Sequence, residues 1–264
     1  MARAKRRLGQ HFLTDPRLLG RIADALGAGP DDTVLEIGPG PGGLTAALAE
    51  RAGRIVVIEK DRDLVPALRE RFPGISVVEG DALEADWHAL AGSRFLVAGN
   101  IPYNITSPLI DKALEPPLPE RVVFLVQKEV ADRVTAAPGT PEYGALSVGV
   151  RSVARAERLF VVPAGAFHPR PQVDSAVLRL TPLESPLVPP AQQGLLRRLV
   201  VALFGFRRKQ LARGLRELTG WGPDAVGAVL GRAGLAAAVR PEVLAPEAFA
   251  ALLGGLVDSG WPAR

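Results

Sequence analysis

The chain has 264 residues with 47% hydrophobic and 23% charged positions, which excludes a disordered or fibrous protein and is enough for one large domain plus a small one. It holds no cysteine, so disulfides, thiolate metal sites and cysteine nucleophiles are excluded. The net charge of +4 is uneven: residues 1–7 carry four basic groups, residues 8–180 carry 18 basic and 22 acidic groups, and residues 181–264 carry ten and six.

A basic arm and a basic C-terminal part thus flank an acidic body, a pattern that offers footing for nucleic acid through counterion release and is equally compatible with plain solubility. Arginine outnumbers lysine 27 to 5 and there are 24 prolines, as expected of a heat-adapted source or of a GC-rich genome. The longest apolar run, Leu199–Phe206, falls far short of the ~20 residues of a membrane span. The basic N-terminus is not followed by the apolar stretch of a signal peptide. The expectation is a soluble, cytoplasmic protein with no membrane partner.

In chain order, Thr33–Ile37, Arg54–Glu59, Ile75–Glu79, Phe95–Gly99 and Arg121–Val126 read as buried parallel strands. Leu44–Arg51, Leu64–Phe72 and Pro108–Leu114 between them read as helices, and Leu159–Val162 and Ala176–Leu180 as two further strands near one edge. Strand–helix alternation predicts an α/β fold, a doubly wound, mostly parallel seven-stranded sheet. Thr181–Pro190 holds four prolines in ten residues and reads as a linker. Helical patterns at Gln192–Phe204, Gln210–Leu218, Pro223–Arg232 and Pro246–Leu256 then predict a small C-terminal all-α domain. The expected division is a large α/β domain over 1–182, with a basic arm over 1–12, and a helical domain over 190–264.

The first strand leads into Gly38-Pro39-Gly40-Pro41-Gly42-Gly43. Glycines there permit tight turning and close approach of a ligand. Glu59 ends the next strand, 21 residues after Gly38, where a carboxylate accepts hydrogen bonds from ribose hydroxyls. Together these point to a nucleoside cofactor. Gly38, Gly40 and Gly43 formally fit a dinucleotide fingerprint, but Pro39 and Pro41 remove N–H groups that a diphosphate would need. Gly80-Asp81-Ala82 follows the third strand; Asp81 there suits an adenine amine, or simply caps a helix.

Asn100-Ile101-Pro102-Tyr103-Asn104 follows the fourth strand, at the carboxyl end of the sheet where ligands bind. An adenine N6 lone pair is delocalised into the ring, so the amine is a poor nucleophile. Two acceptors at its hydrogens favour a pyramidal nitrogen and stabilise the charge that develops on attack. An Asn side-chain oxygen and a neighbouring carbonyl supply both, Pro102 stiffens the turn, and Tyr103 offers a stacking face. The three histidines, His11, His88 and His168, show no metal spacing, so no metal is expected. No acyl-transfer elbow or P-loop is present.

The chain closely resembles the bacterial small-subunit ribosomal RNA adenine dimethyltransferases, the family linked with kasugamycin sensitivity. The resemblance rests on Gly9-Gln10-His11-Phe12-Leu13, Leu35–Gly40, Glu59, Gly80-Asp81-Ala82, Asn100–Asn104, Gln127–Ala131 with Arg133, Phe167–Ala176 and Phe206–Lys209. It implies a class I, Rossmann-like fold, an S-adenosylmethionine donor, and dimethylation of N6 on two adjacent adenosines. Those adenosines lie in a hairpin loop near the 3′ end of 16S ribosomal RNA, within a small ribosomal subunit or its precursor. It also implies that Gly38 and Gly40 lie against the donor, with Leu13, Lys60 and Ala82, that Glu59 holds its ribose and that Asp81 reads its adenine. Asn100, with the carbonyl of Ile101, positions the target nitrogen. Tyr103 stacks the base, with Phe167 as a second aromatic. The residue before the Phe12 position is usually Asn in the family and touches the donor; here it is His11.

The same resemblance turns two basic clusters into expected RNA contacts: Arg3, Lys5, Arg6 and Arg7 in the arm, and Arg207, Arg208 and Lys209 in the helical part. A monomer is the default. The alternatives are a large-subunit 23S rRNA methyltransferase of the macrolide-resistance type, a non-catalytic RNA-binding assembly factor, and, as a minor option, a free-DNA adenine methyltransferase.

Overall fold

The computed structural model describes residues 5, 8–206 and 209–262. It divides into two compact units: residues 1–132 with 156–182, and residues 133–155 with 183–264.

The first unit is built on a seven-stranded sheet. Its strands are β2 (Thr33–Ile37), β3 (Arg54–Glu59), β4 (Ser76–Glu79), β5 (Leu96–Asn100), β6 (Arg121–Gln127), β7 (Ala154–Val162) and β9 (Ser175–Pro182), in spatial order β4-β3-β2-β5-β6-β9-β7. The five strands from β4 to β6 are parallel, and β9 returns antiparallel to β6. This is the expected doubly wound, Rossmann-like sheet. Two-residue strands β1 (Phe12–Leu13) and β8 (Phe167–His168) pair with each other, Leu13 opposite Phe167.

Helices α1 (Pro16–Leu26), α2 (Gly43–Ala49), α3 (Val65–Arg71), α4 (Trp87–Ala91) and α5 (Thr106–Ala113) accompany the sheet. α1 starts on Asp15, whose side chain accepts from the Arg17 amide at 2.8 Å, and stops at Gly27, whose φ of +66° suits glycine. Its Ile22, Ala23 and Leu26 are buried with Val34, Val57, Leu96, Val123 and Val177 in the unit's apolar core. The sheet order reverses between β2 and β5, which places a crevice at the carboxyl ends of those strands.

The second unit carries α7 (Ala145–Arg151), α8 (Pro190–Gly205), α9 (Leu211–Thr219), α10 (Pro223–Arg232) and α11 (Pro246–Asp258); α6 (Lys128–Thr135) runs into it. Leu199, Leu203, Leu215, Val229, Phe249 and Leu253 form its core, together with Tyr143 and Val148. The Tyr143 hydroxyl donates to the Leu244 carbonyl at 2.7 Å.

Two expectations need correction. Residues 133–155, expected within 1–182, belong to the helical unit because Tyr143 and Val148 bury their apolar surface there. The proline-rich 181–190 stretch is not a free linker. β9 runs into it, the amides of Leu183 and Leu187 donate to the carbonyls of Val153 and Ser152 at 2.9 and 2.8 Å, and Val188 is buried. Among the described residues no helix is long and apolar enough to cross a membrane.

Candidate active site

The carboxyl ends of β2, β3, β4 and β5 open onto one cavity of about 530 Å³, within the usual range for small-molecule sites. The parallel register explains why widely separated residues meet there. Ile37 lies opposite Ile58 and Gly99, and Glu59 opposite Glu79, so the residues just beyond each strand share one edge. The walls include Gly38, Gly40, Glu59, Lys60, Asp81, Ala82, Asn100, Ile101, Pro102 and Tyr103, with Gln10, His11 and Leu13 from the N-terminal segment.

In the glycine loop, Gly38 and Gly40 have φ of +64° and +57°, which favour glycine over any residue with a Cβ. The Gly38 amide donates to the Ile58 carbonyl, the Gly40 amide to Glu59, and the Gly42 amide to the Pro39 carbonyl. With Pro39 and Pro41 lacking N–H, these bonds use the amides of Gly38, Gly40 and Gly42 internally.

Glu59 is buried, and each of its oxygens accepts from one amide: Gly40 at 3.0 Å and Asp61 at 2.7 Å. Burial raises its pKa, and those amide bonds oppose the rise. Glu36 lies on the same cavity wall and is 1% exposed. Burial pushes its carboxyl up to about 8, against a 2.6 Å hydrogen bond from the Thr45 hydroxyl and aided by the charge of Glu59. At neutral pH Glu36 is therefore mainly protonated.

Asp81 hydrogen-bonds the Lys60 ammonium, which holds the carboxyl below its ordinary value, and its other oxygen accepts from the Leu83 amide at 3.0 Å. Ala82 is buried, and its carbonyl accepts from the Trp87 indole at 2.8 Å.

These residues fit an adenine nucleoside. Glu59 retains acceptor capacity for a vicinal diol, Asp81 provides a carboxylate for an exocyclic amine, and the cavity wall between them is largely apolar. A Cβ built on Gly38 meets nothing within 4 Å, so the loop leaves open space on that side.

The Asn100 turn forms the other half. Gly99 precedes it because a Cβ there would meet the Ile37 carbonyl at 2.6 Å. The Ile101 amide donates to the Leu125 carbonyl, and the Ile101 side chain is buried. The Pro102 carbonyl accepts from the Ile105 amide and the Thr106 hydroxyl, which closes the turn. Asn100 Nδ2 donates to the carbonyl of His11 at 2.8 Å. The Tyr103 ring is half-buried; its hydroxyl lies 3.0 Å from that of Ser175, and burial raises its pKa.

His11, singled out in the sequence for a donor contact, makes contacts to the Asn100 turn that the sequence did not suggest. Besides holding Asn100 through its carbonyl, its ring stacks on Tyr103 with centroids 5.6 Å apart, and its Nδ1 lies 2.7 Å from the Pro169 carbonyl. Its side chain is thus directed to Tyr103 and the Pro169 carbonyl. No sequence signal marks the Asn100–His11 bond, which joins positions 89 residues apart.

Three other expected residues stand differently. Phe167 is buried in the apolar core with Leu13, Val162 and Val177 and does not line the cavity, because its strand turns it inward while His168 faces solvent. Lys5 pairs with Asp61 and Asp63 rather than standing free. Lys209 contacts both oxygens of Glu217 at 2.7 Å, and Arg213 contacts the same carboxylate at 3.2 Å. Arg3, Arg6, Arg7, Arg207 and Arg208 lie outside the described residues. Among the described residues no group of three or more His, Asp or Glu is placed to hold a metal ion.

Comparison with known proteins identifies the family. A family model described as ribosomal RNA adenine dimethylase matches residues 1–228. The Ribosomal RNA small subunit methyltransferase A of Geobacter metallireducens is 42% identical over 267 residues, spanning 98% of this chain and 97% of its own. The protein of the same name from Aromatoleum aromaticum is 45% identical over 218 residues, spanning 81% and 82%. Among solved structures, the 23S rRNA methyltransferase ErmE is 31% identical, covers 93% of this chain and 99% of its own, and superposes with a TM-score of 0.74. A dimethyladenosine transferase from Plasmodium falciparum is 26% identical, covers 95% and 98%, and superposes with a TM-score of 0.81. With its glycine loop, Glu59 and Asn100 turn gathered on one cavity, the chain belongs to the ribosomal RNA adenine dimethylase family.

Proposed function

We propose that this protein dimethylates N6 of two adjacent adenosines in a hairpin loop near the 3′ end of 16S rRNA, using S-adenosylmethionine. The observation that carries the reading is the convergence of Glu59 and Asn100 on one cavity, with the Asn100 amide oriented by His11. The small-subunit name shared by relatives 42–45% identical supports the choice of RNA.

Glu59 would hold the donor's ribose hydroxyls and Asp81 its adenine amine, with Gly38, Gly40, Leu13, Lys60 and Ala82 along the walls. Bound there, S-adenosylmethionine supplies a methyl carbon on a positively charged sulfur that leaves as a neutral thioether. Asn100 Nδ2 is committed to His11, so Oδ1 accepts one hydrogen of the target amine, and the Ile101 carbonyl accepts the other. This pair draws the nitrogen lone pair out of the ring and toward the methyl carbon. With the donor held there, the N–C bond would form as its C–S bond breaks, those electrons staying on sulfur. The alkylated nitrogen is acidic and releases its proton without a strong base. Tyr103 stacks the base, which leaves its neighbours more readily from a loop than from a duplex.

The helical unit and the basic arm would contact rRNA phosphates within the small subunit or its precursor, through Arg207, Arg208 and Lys209 and through Arg3, Lys5, Arg6 and Arg7. We place the protein in the cytoplasm as a monomer.

The test is incubation with labelled donor and undermethylated small subunits, followed by mass spectrometry of 16S fragments. Dimethyladenosine at adjacent positions is the expected product. Label appearing in 23S RNA instead would favour the reading suggested by the likeness to ErmE. Tight subunit binding without any transfer would favour an assembly factor.

A further inference from the structure

The N-terminal segment ties the two halves of the cavity together through adjacent residues. Gln10 Nε2 donates to Asp61 Oδ2 at 3.0 Å, and Gln10 Oε1 accepts from the Lys5 amide at 2.7 Å. Asp61 is 2% exposed; its Oδ1 accepts from the Asp63 amide at 3.2 Å and pairs with Lys5. Desolvation would raise the Asp61 pKa, but the bonds from Lys5 and Gln10 outweigh it and keep the carboxylate charged. The Asp61 amide in turn donates to Glu59 at 2.7 Å. One residue further along, the His11 carbonyl holds Asn100, and the His11 ring stacks on Tyr103.

We propose that Gln10 is a positioning residue that couples the donor half of the site to the acceptor half. It acts on Glu59 through Asp61, and through the adjoining peptide it fixes where the His11 carbonyl meets Asn100. The inference rests on the donor and acceptor roles given above to Glu59 and Asn100. Displacing the segment releases both contacts at once, so filling one half favours the other, and the coupling is reciprocal.

The test uses the full-length protein with S-adenosylhomocysteine as the probe, measured by calorimetry. Gln10→Ala should weaken probe binding roughly tenfold, the worth of one hydrogen bond to a charged group. Gln10→Glu should weaken it further, because a second carboxylate then faces Asp61. Combining Gln10→Glu with Asp61→Asn reverses donor and acceptor across the same contact, and should recover binding to within about threefold of the unaltered protein by restoring that hydrogen bond. In the unaltered protein the probe should also tighten binding of undermethylated small subunits, by about fivefold or more for a typical coupling, and Gln10→Ala should abolish the gain. Thermal melts check that each variant folds.

Equal probe affinity across the set would overturn the proposal, as would a double variant no tighter than Gln10→Glu alone or coupling that survives Gln10→Ala. Failure of the unaltered protein to bind the probe would instead overturn the functional reading on which the proposal rests.

Discussion

The side chain of Asn100 and the backbone of His11 are joined by a 2.8 Å hydrogen bond in which the amide nitrogen donates to the carbonyl. The bond settles which end of Asn100 is available: Nδ2 is used, and Oδ1 has no partner among the described residues. The side chain therefore presents an acceptor, as an amine being methylated requires. Replacing Asn100 with Ala removes that acceptor. Turnover should fall by roughly 10²–10³-fold, the usual cost of losing one group aimed at developing charge. Single-turnover methylation of undermethylated subunits measures it, with a melt to show that the fold survives. A loss under tenfold would remove Asn100 from the chemistry.

Tyr103 combines an aromatic face with a hydroxyl 3.0 Å from that of Ser175. Phe at this position keeps the face and loses one hydrogen bond, so kcat/KM should drop by about 2- to 10-fold. Ala loses the face as well, and stacking worth roughly 1–3 kcal/mol per base predicts a fall of about 5- to 150-fold. If Phe and Ala variants lose the same activity, the hydroxyl and not the ring is what matters.

Much of the cavity half around Glu59 and the glycine loop was legible in the sequence. Thr33–Ile37 and Arg54–Glu59 form strands with the expected bounds because continuous β-branched runs buried on both faces have no competing pattern. Glu59 and the glycine loop followed from their places at strand ends. α1 is absent from the elements expected above although its signals are present, Asp15-Pro16 at the start and Gly27 at the stop. α4 has only five residues, too few for a helical period. Only Leu159–Val162 of β7 carries a strand pattern, because its first part holds charged and half-exposed residues at the sheet edge. The grouping of 133–155 with the helical unit, and the Asn100–His11 and Gln10–Asp61 bonds, depend on tertiary contacts that no local pattern encodes.

The placement of Phe167 yields its own test. It is buried with Leu13, Val162 and Val177, so Phe167→Ala should cost about 3–5 kcal/mol of stability, as core truncations do. Phe167→Leu keeps most of the volume and should retain near-normal turnover once folded. Denaturant unfolding and kinetics on the same samples separate the roles. A Leu variant of normal stability that transfers no methyl groups would return Phe167 to the stacking role expected from the sequence.

Glu59 accepts one amide on each oxygen, which makes its isosteric replacement informative. A Gln there presents an NH₂ group to one of the two N–H donors, so it cannot reproduce both bonds. Glu59→Gln should weaken S-adenosylhomocysteine binding by roughly 10- to 100-fold, as loss of a hydrogen bond to a charged group does. Calorimetry reads this directly. Unchanged affinity would show that the carboxylate holds only the loop.

Glu36 should make the fold sensitive to alkali. Its pKa is raised from 4.5 to about 8, so between those values the folded protein keeps a proton that the unfolded chain has lost. Stability linked to this group is complete below pH 4.5 and falls as the pH climbs toward 8. One pKa unit corresponds to about 1.4 kcal/mol, so the loss by pH 8 is on the order of a few kcal/mol. Glu36→Gln removes the titration while keeping an acceptor for the Thr45 hydroxyl. The variant should therefore show a flatter Tm profile between pH 5 and 8 and melt roughly 5 °C or more above the unaltered protein at pH 8. Parallel Tm curves for the two proteins across that range would mean that Glu36 is charged in the fold and that burial does not hold its proton.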